Sequence, residues 1–508
     1  MAVHIHGGSY ARGSGNDPLF PHLSFARAGL VTVTFNYRLG LFGFMTLPQF
    51  LKEDPHAPAN FGFLDQRMAL LWIQENIGLF GGDSREVTVF GESAGAGSIL
   101  HQLTYKLGTQ PSLFHRAFAI SPAALSGPEY EMRSNWEGYR HAAESFGCDP
   151  EAEDAPDCLR QIDHSKLEYS KNRLMVFPYV TSTPATYQRS GWPVSDHVNF
   201  PDVGTALVNG DYNKDVEIVV GNDLDEGRIF TPLMAPIISP SEALLKRQFE
   251  IVYGIENGDK LWEVYRPKMS EGGGGEDIRS KTSGDSFGTI AGDTILNCPS
   301  WQHTRSLAMN SLHPVKRYAS EYIYNHAVLR SFGAFHTSSA CLFYNNPSAG
   351  APFPAGFTAD EAALAEALFK KVVAFVKGHG LGDDWKPFTV EDGAALLIAK
   401  NASTGNISTS ITHHWKNDDC SIWAELYPPH GLWAKPCLDD IWADEELVPA
   451  TLNGAMWWVF LHLKLAAIIA IIILLAITAS IIFCCCKCCK CCKCCKSKAP
   501  GSNKVKTD

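Results

Sequence analysis

Apolar and polar positions along the first half of the chain follow two alternating rhythms. Val3-His4-Ile5 is a short apolar strand. Residues 30–37 form a longer strand-like run. A helical pattern covers 66–76, a β-branched run covers 87–90, and a second helical stretch covers 96–106. A further strand pattern occupies 216–220. Strands alternating with helices predict an α/β chain with a mostly parallel sheet. No internal repeat interrupts the pattern, and Gly272–Gly275 reads as a flexible surface loop.

A different pattern closes the chain. Residues 465–483 are 19 consecutive positions without a charge, rich in Ile, Leu and Ala. At helical rise they would span roughly 28 Å, close to the hydrocarbon thickness of a bilayer. Trp457 and Trp458 precede them, where aromatic side chains mark a membrane interface. This predicts one C-terminal transmembrane helix after a juxtamembrane linker over 428–464. The tail, 484–508, interleaves seven lysines with Cys484, Cys485, Cys486, Cys488, Cys489, Cys491, Cys492, Cys494 and Cys495. Lysines after the span and acids before it place the tail in the cytoplasm and the large domain outside or in a lumen. Cysteines beside a bilayer among lysines point to S-palmitoylation. A thiolate metal site is the rival reading.

Composition narrows the rest. The chain has 508 residues, 45% of them hydrophobic, enough for one large core. Its net charge is −11 although the tail is basic, so the globular part is strongly acidic. That balance does not suggest a nucleic-acid partner.

The chemistry centres on Gly91-Glu92-Ser93-Ala94-Gly95, between the strand and the helix. Glycines flanking a serine permit a sharp turn that exposes the hydroxyl above a sheet edge. The stretch 80–95 resembles the active-site signature of type B carboxylesterases, a family that includes cholinesterases and fungal lipases. Asn36-Tyr37-Arg38-Leu39-Gly40 and Asn60-Phe61-Gly62-Phe63-Leu64-Asp65-Gln66 resemble further family segments, in order. The resemblance covers residues 1–427 and implies an α/β-hydrolase fold for them. It implies Ser93 as nucleophile, Glu226 as acid and His336 as base. Asp225 is the obvious rival to Glu226. His6-Gly7-Gly8-Ser9 resembles the family's oxyanion loop, so Gly8 and Ser9 would join Ala94 as backbone donors. Such chemistry takes a small-molecule or lipid ester and requires no metal and no cofactor. Many members carry an acid three residues after the histidine; this chain has Ser339. Ala123 and Ala124 stand where cholinesterases narrow the acyl pocket with tryptophan, which favours a general carboxylic ester.

The resemblance also implies a small disulfide loop, Cys148 with Cys158, and a long-range one, Cys298 with Cys420. It proposes no partner for Cys341 or Cys437. Two bridges imply an oxidising compartment. Asn401 and Asn406 begin adjacent glycosylation sequons. The first residues already match the oxyanion strand, so an N-terminal part of the family domain is expected to be missing. The strand over 30–37 would then be an apolar edge, and Arg38 would lack an acidic partner. Two rival functions remain: a catalytically silent adhesion protein of the neuroligin type, and an inactive esterase fragment. The oligomeric state is not legible in the sequence.

Overall fold

The structure, a computed structural model, describes most of residues 1–426. Outside the description lie chiefly 123–139, 165–192, most of 230–254, 271–287, 325–328, 348–355 and 402–405, and everything from 427 on. The expected linker, transmembrane helix and Cys/Lys tail therefore fall outside it, as do Gly272–Gly275, Ala123, Ala124 and Cys437. Among the described residues no helix is long and apolar enough to cross a membrane.

Eight strands form one sheet: β1 Ala2–Ile5, β2 Thr32–Thr34, β3 Thr88–Glu92, β4 Arg116–Ile120, β5 Glu217–Asp223, β6 Lys316–Ser320, β7 Ala395–Lys400 and β8 Ile407–Thr412. Their order is β2-β1-β3-β4-β5-β6-β7-β8, and every pairing is parallel except β7 with β8. The expected strands and helices appear with boundaries shifted by a few residues. The helix expected from Gln66 begins at Phe61.

Side-chain alternation divides the interior in two. Val3, Ile5, Val89, Ala117, Ala119, Ile218 and Val220 face one core, against the helices Phe61–Asn76, Ala94–Thr104 and Cys298–Asn310. Ala2, Phe90, Phe118, Ile120 and Val219 face the other, against Ser338–Phe343 and Ala359–Val376. Both faces are covered, as a parallel sheet requires, because its crossovers lay helices on each side.

The chain runs outward from β1 to β2, then returns to the other side of β1 with β3. The order thus reverses between β1 and β3. In open parallel sheets, ligands bind beyond the strand carboxyl ends at such a reversal. The loop after β1 and the turn after β3 both open there.

Two expectations about the sheet edge need revision. β2 is an edge strand, but Leu30, Val31, Val33 and Phe35 are partly buried against the two cores. Arg38 has its acid within this chain. Asp65 accepts from its Nε at 2.8 Å, its terminal nitrogen at 2.7 Å and its backbone N–H at 2.9 Å. Close packing makes this possible: a Cβ on Gly62 would lie 2.5 Å from the Arg38 carbonyl, so the helix start rests on that backbone.

Both expected disulfides are present, Cys148–Cys158 and Cys298–Cys420. The first closes an acidic loop that Gln49 grips, donating to the carbonyls of Pro150 and Ala152, each at 2.8 Å. Cys341 is buried, and its thiol donates to the Thr337 carbonyl at 3.9 Å. Asn401 and Asn406 are exposed at the ends of the β7–β8 turn, and the Asn401 N–H donates to the Asn406 carbonyl.

Candidate active site

Ser93 occupies the apex between β3 and the following helix at φ 57°, ψ −124°, a conformation that costs a non-glycine residue on the order of 1–3 kcal/mol. Its neighbours enforce it. A Cβ on Gly91 would lie 2.3 Å from the Gly95 carbonyl carbon, and one on Gly95 would lie 2.1 Å from the Ile5 carbonyl oxygen. The elbow closes only because both positions are glycine and the helix start can touch β1. The Ser93 N–H is taken by the Ile120 carbonyl at 2.9 Å. Every residue of the helix is buried. Ser98 on it is tied down: it donates to the Ala94 carbonyl and accepts from Gln66.

The loop after β1 lies directly on this elbow. A Cβ on Gly7 would lie 2.6 Å from the Glu92 carbonyl and 3.3 Å from Ser93 Cβ. Gly8 has φ +106° and Ser9 has φ 55°. Stacking of His6 on Tyr37, with centroids 4.3 Å apart, fixes the loop's entry, and Tyr37 donates to the His6 carbonyl at 2.9 Å. Gly8, Ser9, Ser93 and Ala94 are thereby gathered at the reversal point. Ala94 opens the helix, so its N–H has no acceptor within the helix.

His336 arrives from the far side of the sheet. The Asp225 N–H donates to the Ala334 carbonyl at 2.8 Å, and Asp225 Oδ2 accepts from the Ala334 N–H at 2.9 Å. Gly333, at φ +69°, has no room for a side chain beside that carboxylate. Arg228 lies 3.2 Å from the other Asp225 oxygen. Asp225 therefore staples the loop that carries the histidine. Glu226, fully buried, reaches the ring itself: its Oε2 lies 2.6 Å from His336 Nδ1. Its Oε1 accepts from the Asp223 N–H at 2.9 Å and from Asn222 at 3.3 Å. The two adjacent acids thus have different tasks, and only Glu226 meets the imidazole through a described hydrogen bond.

Two carboxylates near the ring went unassigned in the sequence. Glu92 Oε1 lies 3.1 Å from His336 Nε2, at ion-pair distance without an aligned hydrogen bond. Asp223, at the end of β5, accepts from the Ser339 N–H and hydroxyl. Burial disfavours the imidazolium, but Glu92 and Glu226 outweigh it and push His336 up to about 9. Burial pushes Glu92 up to about 7, opposed by His336. The signal for Glu92 was its place beside Ser93; Asp223 ends β5, three residues before Glu226. Among the described residues no group of three or more His, Cys, Asp or Glu is arranged to hold a metal ion.

The family model of the carboxylesterase family matches residues 1–423. The chain belongs to that family. It is 30% identical over 320 residues to the crystal protein of Dictyostelium discoideum, covering 63% of this chain and 53% of that protein. It is 25% identical over 463 residues to the bile salt-activated lipase of Mus musculus, covering 84% of this chain and 71% of the lipase. The chain thus spans about half of the first relative and under three quarters of the second. A solved PNB esterase superposes with a TM-score of 0.64 at 23% identity, over 83% of this chain and 80% of its own, which establishes the α/β-hydrolase fold.

Proposed function

We propose that this protein hydrolyses carboxylic esters with Ser93 as nucleophile, His336 as base and Glu226 as the acid that orients it. The observation that carries the reading is the 2.6 Å contact from Glu226 to His336 Nδ1, with Glu92, the residue before the elbow serine, 3.1 Å from the ring's other nitrogen. Glu226 keeps the Nδ1 proton and supports the charged imidazole; in the neutral form of the ring, Nε2, which stands 3.1 Å from Glu92, is the nitrogen that takes the proton of Ser93. The Ser93 oxygen attacks the ester carbonyl carbon. The oxyanion accepts hydrogen bonds from the N–H groups of Gly8, Ser9 and Ala94, each such donor contributing about 3–4 kcal/mol. His336 returns the proton to the departing alcohol, and water repeats the sequence on the acyl-enzyme. The substrate is a small-molecule or lipid ester, as for the lipases and esterases it resembles. We also propose that residues 465–483 anchor the domain, supported by their uncharged length and the basic tail. The domain then lies outside or in a lumen, and the tail cysteines are acylated. The disulfides favour that side of the membrane.

The test is hydrolysis of short p-nitrophenyl esters by the full chain together with fluorophosphonate labelling. Ser93→Ala is expected to abolish labelling and to lower turnover by about five to six orders of magnitude. Labelling that survives the substitution would overturn the assignment, and a wild-type protein that neither labels nor hydrolyses would favour the adhesion reading. Carbonate-resistant membrane association and hydroxylamine-sensitive acylation test the anchor. Tail thiols that stay free, or that hold zinc stoichiometrically, would reverse the lipidation reading.

A further inference from the structure

Asp223 has no part in the proton relay, yet it is completely buried within it. It precedes the acid loop on β5, and its own N–H already supports Glu226. Its carboxylate crosses to the histidine segment. Oδ1 lies 3.2 Å from the Ser339 nitrogen, and Oδ2 lies 3.1 Å from Ser339 Oγ. Ser339 Oγ is also 3.1 Å from the Tyr318 hydroxyl on β6. Three elements, β5, β6 and the His336 turn, thus converge on one carboxylate.

The groups facing it are few and unlike. Glu226 is its acidic neighbour, Tyr318, Tyr324 and Cys341 are neutral, and among the described residues His336 is the cation it acts on. Burial and then Glu226 push the Asp223 carboxyl well above its ordinary range, while the Ser339 hydrogen bonds oppose the rise. On its own side the imidazole faces Glu92 from β3 and Glu226 from the loop after β5. A buried carboxylate with two charge-stabilising donors, one shell behind a base, serves that base in two ways. It fixes the turn through Ser339, and in its ionised form, which the Ser339 donors favour, it supports the imidazolium.

We propose that Asp223 is a positioning residue for His336. Through Ser339 it holds the turn that presents the imidazole, and when ionised it supports the cation formed as Ser93 is deprotonated. Residue 339, where the resemblance leads one to expect an acid, is the hydroxyl by which an acid on β5 is engaged instead. The inference rests on the esterase reading and deepens it.

The experiment compares the pH dependence of kcat/KM for p-nitrophenyl acetate in the full chain for wild type, Asp223→Asn, Ser339→Ala and Asp223→Asn/Ser339→Asp. Asp223→Asn is expected to lower kcat about tenfold with little change in KM. It should also move the acid limb about half a pH unit lower, because one negative neighbour is gone. Ser339→Ala, nearly isosteric, should move the limb the same way by less. The double variant returns a carboxylate across the same contact and should recover the wild-type limb and most of kcat. An unmoved limb in Ser339→Ala and in whichever Asp223 variant folds would overturn the proposal. So would a folded double variant that recovers nothing. Wild-type inactivity would sink the esterase reading instead, so the two failures are distinct.

Discussion

The serine elbow and the histidine turn lie at one end of the same sheet, but they are held by opposite means. The elbow is held by sterics. Gly91, Gly95 and Gly7 let backbones touch, and no side-chain charge is needed to keep Ser93 at its strained angles. The histidine turn is held by carboxylates. Asp225 staples its entry, Glu226 takes the ring, and Asp223 takes the turn behind it. A steric device is nearly rigid and insensitive to pH. An electrostatic one can be tuned by each neighbour and by protonation. Nucleophile and base are thereby controlled independently.

The sharpest break of the steric side is Gly95→Ala. Its Cβ would collide with the Ile5 carbonyl. Esterase activity should fall to background, with a destabilisation of about 3 kcal/mol from overpacking, read by thermal melting. Retained activity would mean that the elbow can open without harm. On the electrostatic side, Glu226→Gln and Asp225→Asn should separate activity from stability. The first should lower kcat by about 10³–10⁴ with the fold intact. The second leaves Arg228 without its buried counter-charge, so it should cost about 3 kcal/mol of stability while the folded fraction retains most of its turnover. Equal losses of turnover would erase the division of labour between these neighbours.

Glu92→Gln has a smaller effect with a definite sign. Removing the negative group beside Nε2 lowers the affinity of His336 for its proton, so the acid limb should move about one to two pH units downward. An upward shift, or none, would mean that Glu92 is already neutral. The mildest prediction concerns the elbow helix itself. Burial drives His101 down to about 3, and drives His303, which acts electrostatically on it, down to about 4. Both are neutral in the folded chain and prefer protons once unfolded. Their stabilising contribution is therefore present above about pH 6.5 and lost as pH falls toward 4. The melting midpoint should decline over that window, and His303→Leu should flatten the decline.

The same contrast explains what could be read from the sequence. Steric requirements leave a compact local trace: glycines at fixed offsets from Ser93, after β-branched residues and before a helix. Four of the eight strands, β1, β2, β3 and β5, were visible as short apolar or β-branched runs, whereas β4, β6, β7 and β8 were not assigned from the sequence. The carboxylates join residues about a hundred positions apart, and nothing local distinguishes Asp223 from a surface acid. Glu226 and His336 were found by resemblance and order. The separate task of Asp225 emerged only when Ala334 and Arg228 were seen beside it. Arg38 was misjudged because its partner, Asp65, belongs to a helix whose approach depends on the missing side chain of Gly62.

The Cys298–Cys420 bond has a consequence for how the protein withstands proteolysis. It joins points 122 residues apart in sequence, and His336, β6, β7 and β8 all lie between them. The exposed ends of the β7–β8 turn, Asn401 and Asn406, mark a natural place for a protease to cut. A single cut there produces two polypeptides that stay covalently joined: one carries Ser93, Glu226, His336 and Cys298, and the other carries β8 and Cys420. The nicked protein would migrate as one species until the bond is reduced, and its catalytic parts would remain in one molecule.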